Sequence, residues 1–288
     1  MKLSKDLYLE AIVKIEKFSP APRVLSKAVA LLRNPDSDIG DIANLVKSDT
    51  ALTADIIRGS NSAYYGVGER VSSLDRAVAK IGFRESLRLL NLAVAHLMAA
   101  RDLGSYGFAA EDFWAESLFH GLFMERLART TGAADPDEAH TAGLLRYIGR
   151  LAINQCIHDL GGGLFWDGST LLEDWEMDNV GFPHTHAGAR LLQAWQFTDN
   201  IVQAVEWQNE PARLTPPNWL ADALEFAGTV LPAGLGVAFA TQAPAEAEPA
   251  IQETEFMRRH GLTNEQVQSL IADTRTAFAQ INSQLYSG

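Results

Sequence analysis

Two histidines at close spacing, His184 and His186, are the residues of this chain that most suggest metal chemistry, because imidazole nitrogens ligate zinc, iron and manganese. Residues two apart point to different sides of a helix, so the pair shares an ion only if the backbone after Pro183 is irregular. A plain helix start, with His184 near the cap, is the simpler reading. His96, His120, His140, His158 and His260 are scattered singly, with no partner visible in the sequence. Ser62 and Cys156 are candidate nucleophiles, but the sequence supplies no base for either. Cys156 lies on an apolar helix face, where a thiol packs. Gly66-Val67-Gly68 and Gly161-Gly162-Gly163 follow no strand and continue into no phosphate-binding fingerprint, so they read as turns. Asn61, Ser62, Tyr64 and Tyr65 offer contact area instead, since exposed tyrosines bury much surface at modest entropic cost. The competing reading has Asn61 and Ser62 end a helix while one tyrosine packs inward. Glu173, Asp174, Glu176 and Asp178, around Trp175 and Met177, read as a solvated helix that could steer a basic partner.

The elements that must position these groups are helical. Apolar residues recur at helical spacing almost throughout, and no series of alternating runs bounded by hairpin turns is present. Ile39, Ile42, Ala43 and Val46 form one stripe, capped by Ser37 or Asp38. Asp49 caps a second helix that stops at residues 59–61. Residues 74–81 form a short helix ended by Gly82, and residues 85–100 a longer one. The glycine-containing loop 102–110 is a boundary. Further helices are expected at 112–130, 137–156, 171–177, 184–195, 199–209 and 219–230, with an exposed loop at 241–249. A last helix, 263–285, is capped by Thr263 or Asn264.

Composition bounds the function. With 24 Lys+Arg against 36 Asp+Glu the net charge is −12, the wrong sign for a protein whose main task is to hold a nucleic acid. A 47% hydrophobic content can bury a real core. One cysteine forms no internal disulfide and no thiolate cluster, and it suits a reducing compartment. No export signal and no stretch of about 20 apolar residues is seen, so the expectation is a cytoplasmic chain without a membrane span.

Longer blocks carry a resemblance. Ser19-Pro20-Ala21-Pro22-Arg23-Val24, Asn34-Pro35-Asp36, Ser48-Asp49-Thr50-Ala51-Leu52, Asn61-Ser62-Ala63-Tyr64-Tyr65-Gly66 and Ser73-Leu74-Asp75-Arg76-Ala77-Val78 occur in an order that resembles the HDOD family, the HD-related output domains of bacterial signalling proteins. Phe113-Trp114-Ala115-Glu116-Ser117, the run from Ala142 through Arg146-Tyr147 to Arg150, and the run from His184 to Trp195 are similar to its later blocks. The likeness covers roughly residues 14–230. It implies an all-α fold, with an N-terminal helical lobe (1–105) packed on a degenerate HD-like helical lobe (106–288).

HD phosphohydrolases cluster His and Asp on adjacent helices to hold two metals that activate water. By the resemblance, those places are taken here by Glu116, by Arg146 and Tyr147, and by Trp207 and Gln208, and His184 alone keeps a ligand type. A guanidinium has no lone pair to give and repels a dication. The implied reading is a noncatalytic signal-transduction module with no metal or cofactor, acting through contacts with other signalling proteins of unknown identity and binding neither nucleic acid nor membrane. Arg146 could hold a small anionic ligand or nucleotide beside Tyr147, His184 and Trp207, or simply pair with Glu116 across two helices. The alternative is a divergent metal-dependent phosphohydrolase that recruits His158, His184, His186 and nearby acids.

Overall fold

The computed structural model describes residues 4–15, 39–61, 69–82, 86, 103–231 and 251–286. The expected helix at 85–100, apart from Ser86, and the expected loop at 241–249 lie outside these residues. The described residues are mostly helical, and none forms a strand. In chain order the helices are α1 (Lys5–Val13), α2 (Ile39–Lys47), α3 (Thr50–Ser60), α4 (Leu74–Ile81), α5 (Ala110–Thr131), α6 (Pro136–Leu145), α7 (Ile148–Asp159), α8 (Leu172–Asn179), α9 (His184–Ala194), α10 (Asp199–Glu206), α11 (Trp219–Val230), α12 (Glu255–His260) and α13 (Asn264–Tyr286).

Local chemistry sets most of the ends. Asp49 accepts a hydrogen bond from the Leu52 N–H at 2.9 Å and so caps α3. Asp135 caps α6 by accepting from the N–H groups of Asp137 and Glu138, with Pro136 at the first helical position. Gly82 ends α4 at φ +81°, a conformation open to glycine. Thr263 and Gln266 cap α13 reciprocally: Gln266 N–H donates to Thr263 Oγ1 and Thr263 N–H donates to Gln266 Oε1.

The helix expected over 137–156 is two helices, broken at Arg146 and Tyr147. The cause is tertiary. Gln208 Nε2 donates to the Arg146 carbonyl at 2.9 Å, and the Arg150 N–H turns to Tyr147 O, so the α-helical bond between them is not made. The expected helix at 199–209 stops at Glu206 for the same reason, since Gln208 is drawn inward.

α5 is the spine of the core. It packs against α6, α11 and α13, and Phe278 of α13 sits against Trp114 and Phe119 at ring separations of 5.4 and 6.2 Å. Glycines set the closest approaches: a Cβ on Gly143 of α6 would lie 2.5 Å from His120 O on α5, and one on Gly149 of α7 would fall on His184 O of α9. α3 and α4 lean on α6, and α1 crosses α7 and α9. Between α2–α4 and α5–α6, Lys47 Nζ reaches Asp137 at 2.7 Å, Arg76 reaches Asp135 at 2.7 Å, and the Trp114 indole donates to Ser48 O. Among the described residues no helix is long and apolar enough to cross a membrane.

Candidate functional site

The break between α6 and α7 places Arg146, Tyr147 and Arg150 at the meeting point of α5, α9 and the end of α10. Tyr147 is the hub, with its ring half-buried. The Arg150 and Arg146 guanidinium carbons lie 3.7 and 4.6 Å from the ring centre, and the His120 and His184 rings stand 5.4 and 5.8 Å away. Both arginines are buried. Arg150 Nη1 donates to Glu116 Oε2 at 3.3 Å. Arg146 Nε donates to the neutral Gln208 Oε1 at 3.0 Å, and Arg146 Nη1 is buried with no hydrogen-bond partner among the described residues.

Gln208 has no exposed surface and spends its whole amide on fixing this corner, giving its two N–H bonds to Arg146 O and Val205 O. Burial pushes the Arg146 guanidinium below its usual range and nearby Arg150 adds to the effect, while Tyr147 and Glu116 oppose it. A guanidinium is basic enough to stay charged all the same. His120 is held well below the usual imidazole value, first by burial and then by Arg146, and stays neutral. Its Nδ1 faces Glu116 O at 2.8 Å; a carbonyl only accepts, so that nitrogen carries the proton.

Beside this group lies a second buried cluster. Glu176 of α8, with no exposed surface, accepts from the His184 backbone N–H at 2.7 Å, from His184 Nδ1 at 2.9 Å and from the Tyr106 hydroxyl at 2.9 Å. Burial by itself raises the Glu176 carboxyl, but the His184 charge and the hydrogen bonds from His184 and Tyr106 outweigh it and hold the group below its usual value. Burial, followed by the Glu176 charge and hydrogen bond, drives the Tyr106 phenol well up. The same carboxylate satisfies an orphan N–H in the first turn of α9, which fixes the orientation of His184.

Several expectations are corrected here. Glu116 and Arg146 do not pair; the ion pair of Glu116 is with Arg150, four residues further on. Trp207 is half-buried at the C-cap of α10, where its ring contact is with the Arg213 guanidinium at 5.4 Å rather than with Arg146. Glu176 belongs to no solvated acidic face, since it is wholly buried. Asn61 is a clasp rather than an exposed contact residue: its amide donates to Val71 O and Gln196 O and accepts from Val71 N–H, with the residue 7% exposed. Ser62, Tyr64 and Tyr65 lie outside the described residues. The arrangement brings Glu116, Arg146, Tyr147, His184 and Gln208 together and adds His120, Arg150, Glu176 and Tyr106. His120 was within reach of sequence reading as the i+4 neighbour of Glu116. Glu176 was not, because its eight-residue offset from His184 spans the turn between α8 and α9.

Among the described residues the donor set does not fit a two-metal centre. His184, His186 and His158 turn to three different acids, Glu176, Glu206 and Asp159. Among the described residues no three His, Cys, Asp or Glu side chains converge as metal ligands. Arg146 and Arg150 bring two cations into the volume around Tyr147 instead.

Fold and site together define an all-helical domain with two buried arginines gathered on Tyr147. The sequence matches the HDOD domain over residues 19–211, and the chain belongs to that family. A curated relative, an uncharacterised protein of Treponema pallidum (strain Nichols), is 25% identical over 207 residues; the match takes in 68% of this chain and 38% of the relative's length. Among solved structures, a virulence factor from Campylobacter jejuni superposes with a TM-score of 0.67 at 17% identity, covering 96% of this chain and all of that one. The MmoQ response regulator from Methylococcus capsulatus superposes with a TM-score of 0.66 at 21% identity, covering 89% and 98%. At these identities the likeness establishes the fold.

Proposed function

We propose that this protein is a noncatalytic regulatory module of the cytoplasm, which passes a signal to other signalling proteins by contact and whose packing a small anionic ligand biases at the Tyr147 site. The observation that carries this reading is the pair of buried guanidiniums around Tyr147, where hydrolysis by the HD route would need imidazoles and carboxylates aimed at metal ions. Family membership supports it, and so does the description of the Methylococcus relative as a response regulator. A ligand there would touch α6, α7 and α9 at once, and α6 in turn supports α3 and α4. Binding energy at one corner would therefore bias the seating of α3 and α4 on α6, the kind of two-state element that regulation requires.

The test is elemental analysis of the purified full chain, together with turnover of bis(p-nitrophenyl) phosphate in the presence of manganese or iron. The expected result is substoichiometric metal and no turnover above buffer. Stoichiometric metal with turnover that is lost on chelation would overturn the reading in favour of a divergent phosphohydrolase.

A further inference from the structure

Large apolar side chains left in water mark contact sites when they gather rather than stand singly. Three do so in and just before α8: Phe165 is 60% exposed, Leu171 76% and Met177 51%. The chain itself gathers them. The Trp166 N–H donates to Ser105 O, and the Trp166 indole donates to Thr170 O at 3.0 Å, which folds residues 166–170 into a loop with Phe165 before it and Leu171 after it. Beneath, Trp166 meets Phe108 and Trp175 meets Tyr106 edge-on, at ring separations of 6.2 and 5.6 Å, so the loop and α8 rest on aromatic rings of the same short segment. Glu176 holds the inner side of α8, and by helical spacing Glu173, Asp174, Met177 and Asp178 share its outward arc, where all four are exposed. Charge then says what fits. Asp167 joins those three acids on the exposed surface, and the sequence holds no lysine or arginine between Arg150 and Arg190. Lys5 of α1 stands beside Gly181, past the end of α8, and bounds the acidic surface there. These acids repel a nucleic acid or an anionic membrane, and a two-fold copy of the chain would set them against themselves.

We propose that the outer face of α8, with the loop before it, docks a short segment of a partner protein that carries lysines or arginines beside apolar side chains, an inference that rests on the contact-signalling reading above and names the surface and chemistry of the contact. The apolar groups supply area and the acids steer the approach. The docked face is tied to the interior, because the turn of α8 that exposes Met177 sends Glu176 to His184, whose ring stands beside Tyr147.

The test is selection of a displayed random-peptide library on the full chain, followed by fluorescence anisotropy with the most enriched peptide. Three variants are compared with the wild type: Leu171→Ser with Met177→Ser, Asp174→Lys with Asp178→Lys, and Glu265→Lys with Asp273→Lys on α13 as a control of equal charge change. Every substituted position is exposed, and urea unfolding verifies that each variant folds. The wild type should enrich peptides that carry Lys or Arg next to Leu, Phe or Trp. Affinity should fall about tenfold or more in the first two variants and less than about threefold in the control. It should also weaken as salt is added. No enrichment, enrichment of acidic or uncharged peptides, or equal losses in the two charge-reversed variants would overturn the inference. So would a dimer in sedimentation that the Leu171→Ser, Met177→Ser protein no longer forms, because the face would then belong to a second copy. Each of these results would leave the noncatalytic reading in place, since that reading falls only to metal-dependent turnover.

Discussion

Removing the Glu176 carboxylate should be among the most damaging single changes in the molecule. Glu176→Ala strands three donors at once: the His184 N–H, the His184 Nδ1–H and the Tyr106 hydroxyl, which lie 2.7–2.9 Å from the carboxylate oxygens. Each buried donor without an acceptor costs about 1–3 kcal/mol. The three share one acceptor and relax together, so the total expected is about 3–5 kcal/mol, the range found when one member of a buried ion pair is deleted. Against a whole-domain stability of about 5–15 kcal/mol, this is a third or more in most cases. Urea unfolding at pH 7, followed by circular dichroism, measures it, with Glu176→Gln as a control that keeps one acceptor. The pH dependence adds a second readout. The folded carboxyl lies below its usual value, because His184 and Tyr106 outweigh the raising effect of burial. Its stabilisation is therefore complete above the unfolded carboxyl value of about 4.3 and is lost as pH falls through the folded value. The gap between wild type and Glu176→Ala should close on acidification. A Glu176→Ala protein within about 1 kcal/mol of wild type, or a gap that widens in acid, would refute the reasoning.

The remaining predictions concern packing, a second carboxylate and the thiol. Gly149→Ala puts a methyl group onto the His184 carbonyl and within 2.6 Å of Gly188 N, and should cost about 3 kcal/mol or more. Gly132→Ala, at φ +65° with nothing within 4 Å, should cost only about 1–2 kcal/mol, and equal costs in denaturant unfolding would contradict the close approach of α7 to α9. Glu125 is held down to about 2: burial raises it, but the His140 ring 3.4 Å away, with Arg129 and Lys47, prevails. A carbon-detected NMR titration of Glu125 should show a midpoint near that value, and Glu125→Gln should lose stability relative to wild type above about pH 4.3 but not near pH 2. A midpoint in the ordinary carboxylate range would contradict the His140 contact. Burial pushes the Cys156 thiol up to about 12, and the residue is 2% exposed, so labelling by a disulfide reagent at pH 8 should track unfolding in urea. Stoichiometric labelling of the native protein within seconds would show that the core around α7 is open.

What the sequence determined by itself was set by neighbours a few positions apart. The helical class follows from apolar spacing, and the starts of α3 and α13 follow from Asp49 and Thr263, whose side chains each accept from the backbone N–H three residues on. α3 and α4 end at Asn61 and at Gly82, the latter at φ +81°, as their residue types suggest. Blocks of ordered residues carried the family and named Glu116, Arg146, Tyr147, His184, Trp207 and Gln208, and the fold brings these together except for Trp207, whose ring faces Arg213. Tertiary structure alone decided how those residues are used. The break at Arg146 exists because Gln208, 62 positions away, takes the Arg146 carbonyl. Glu116 chose Arg150 over Arg146, and Glu176 left the surface for His184, because hydrogen bonds in a desolvated interior go to whichever donor the packing brings within reach. Spacing along a helix encodes a face, whereas the partner met by that face depends on where the other helices cross it.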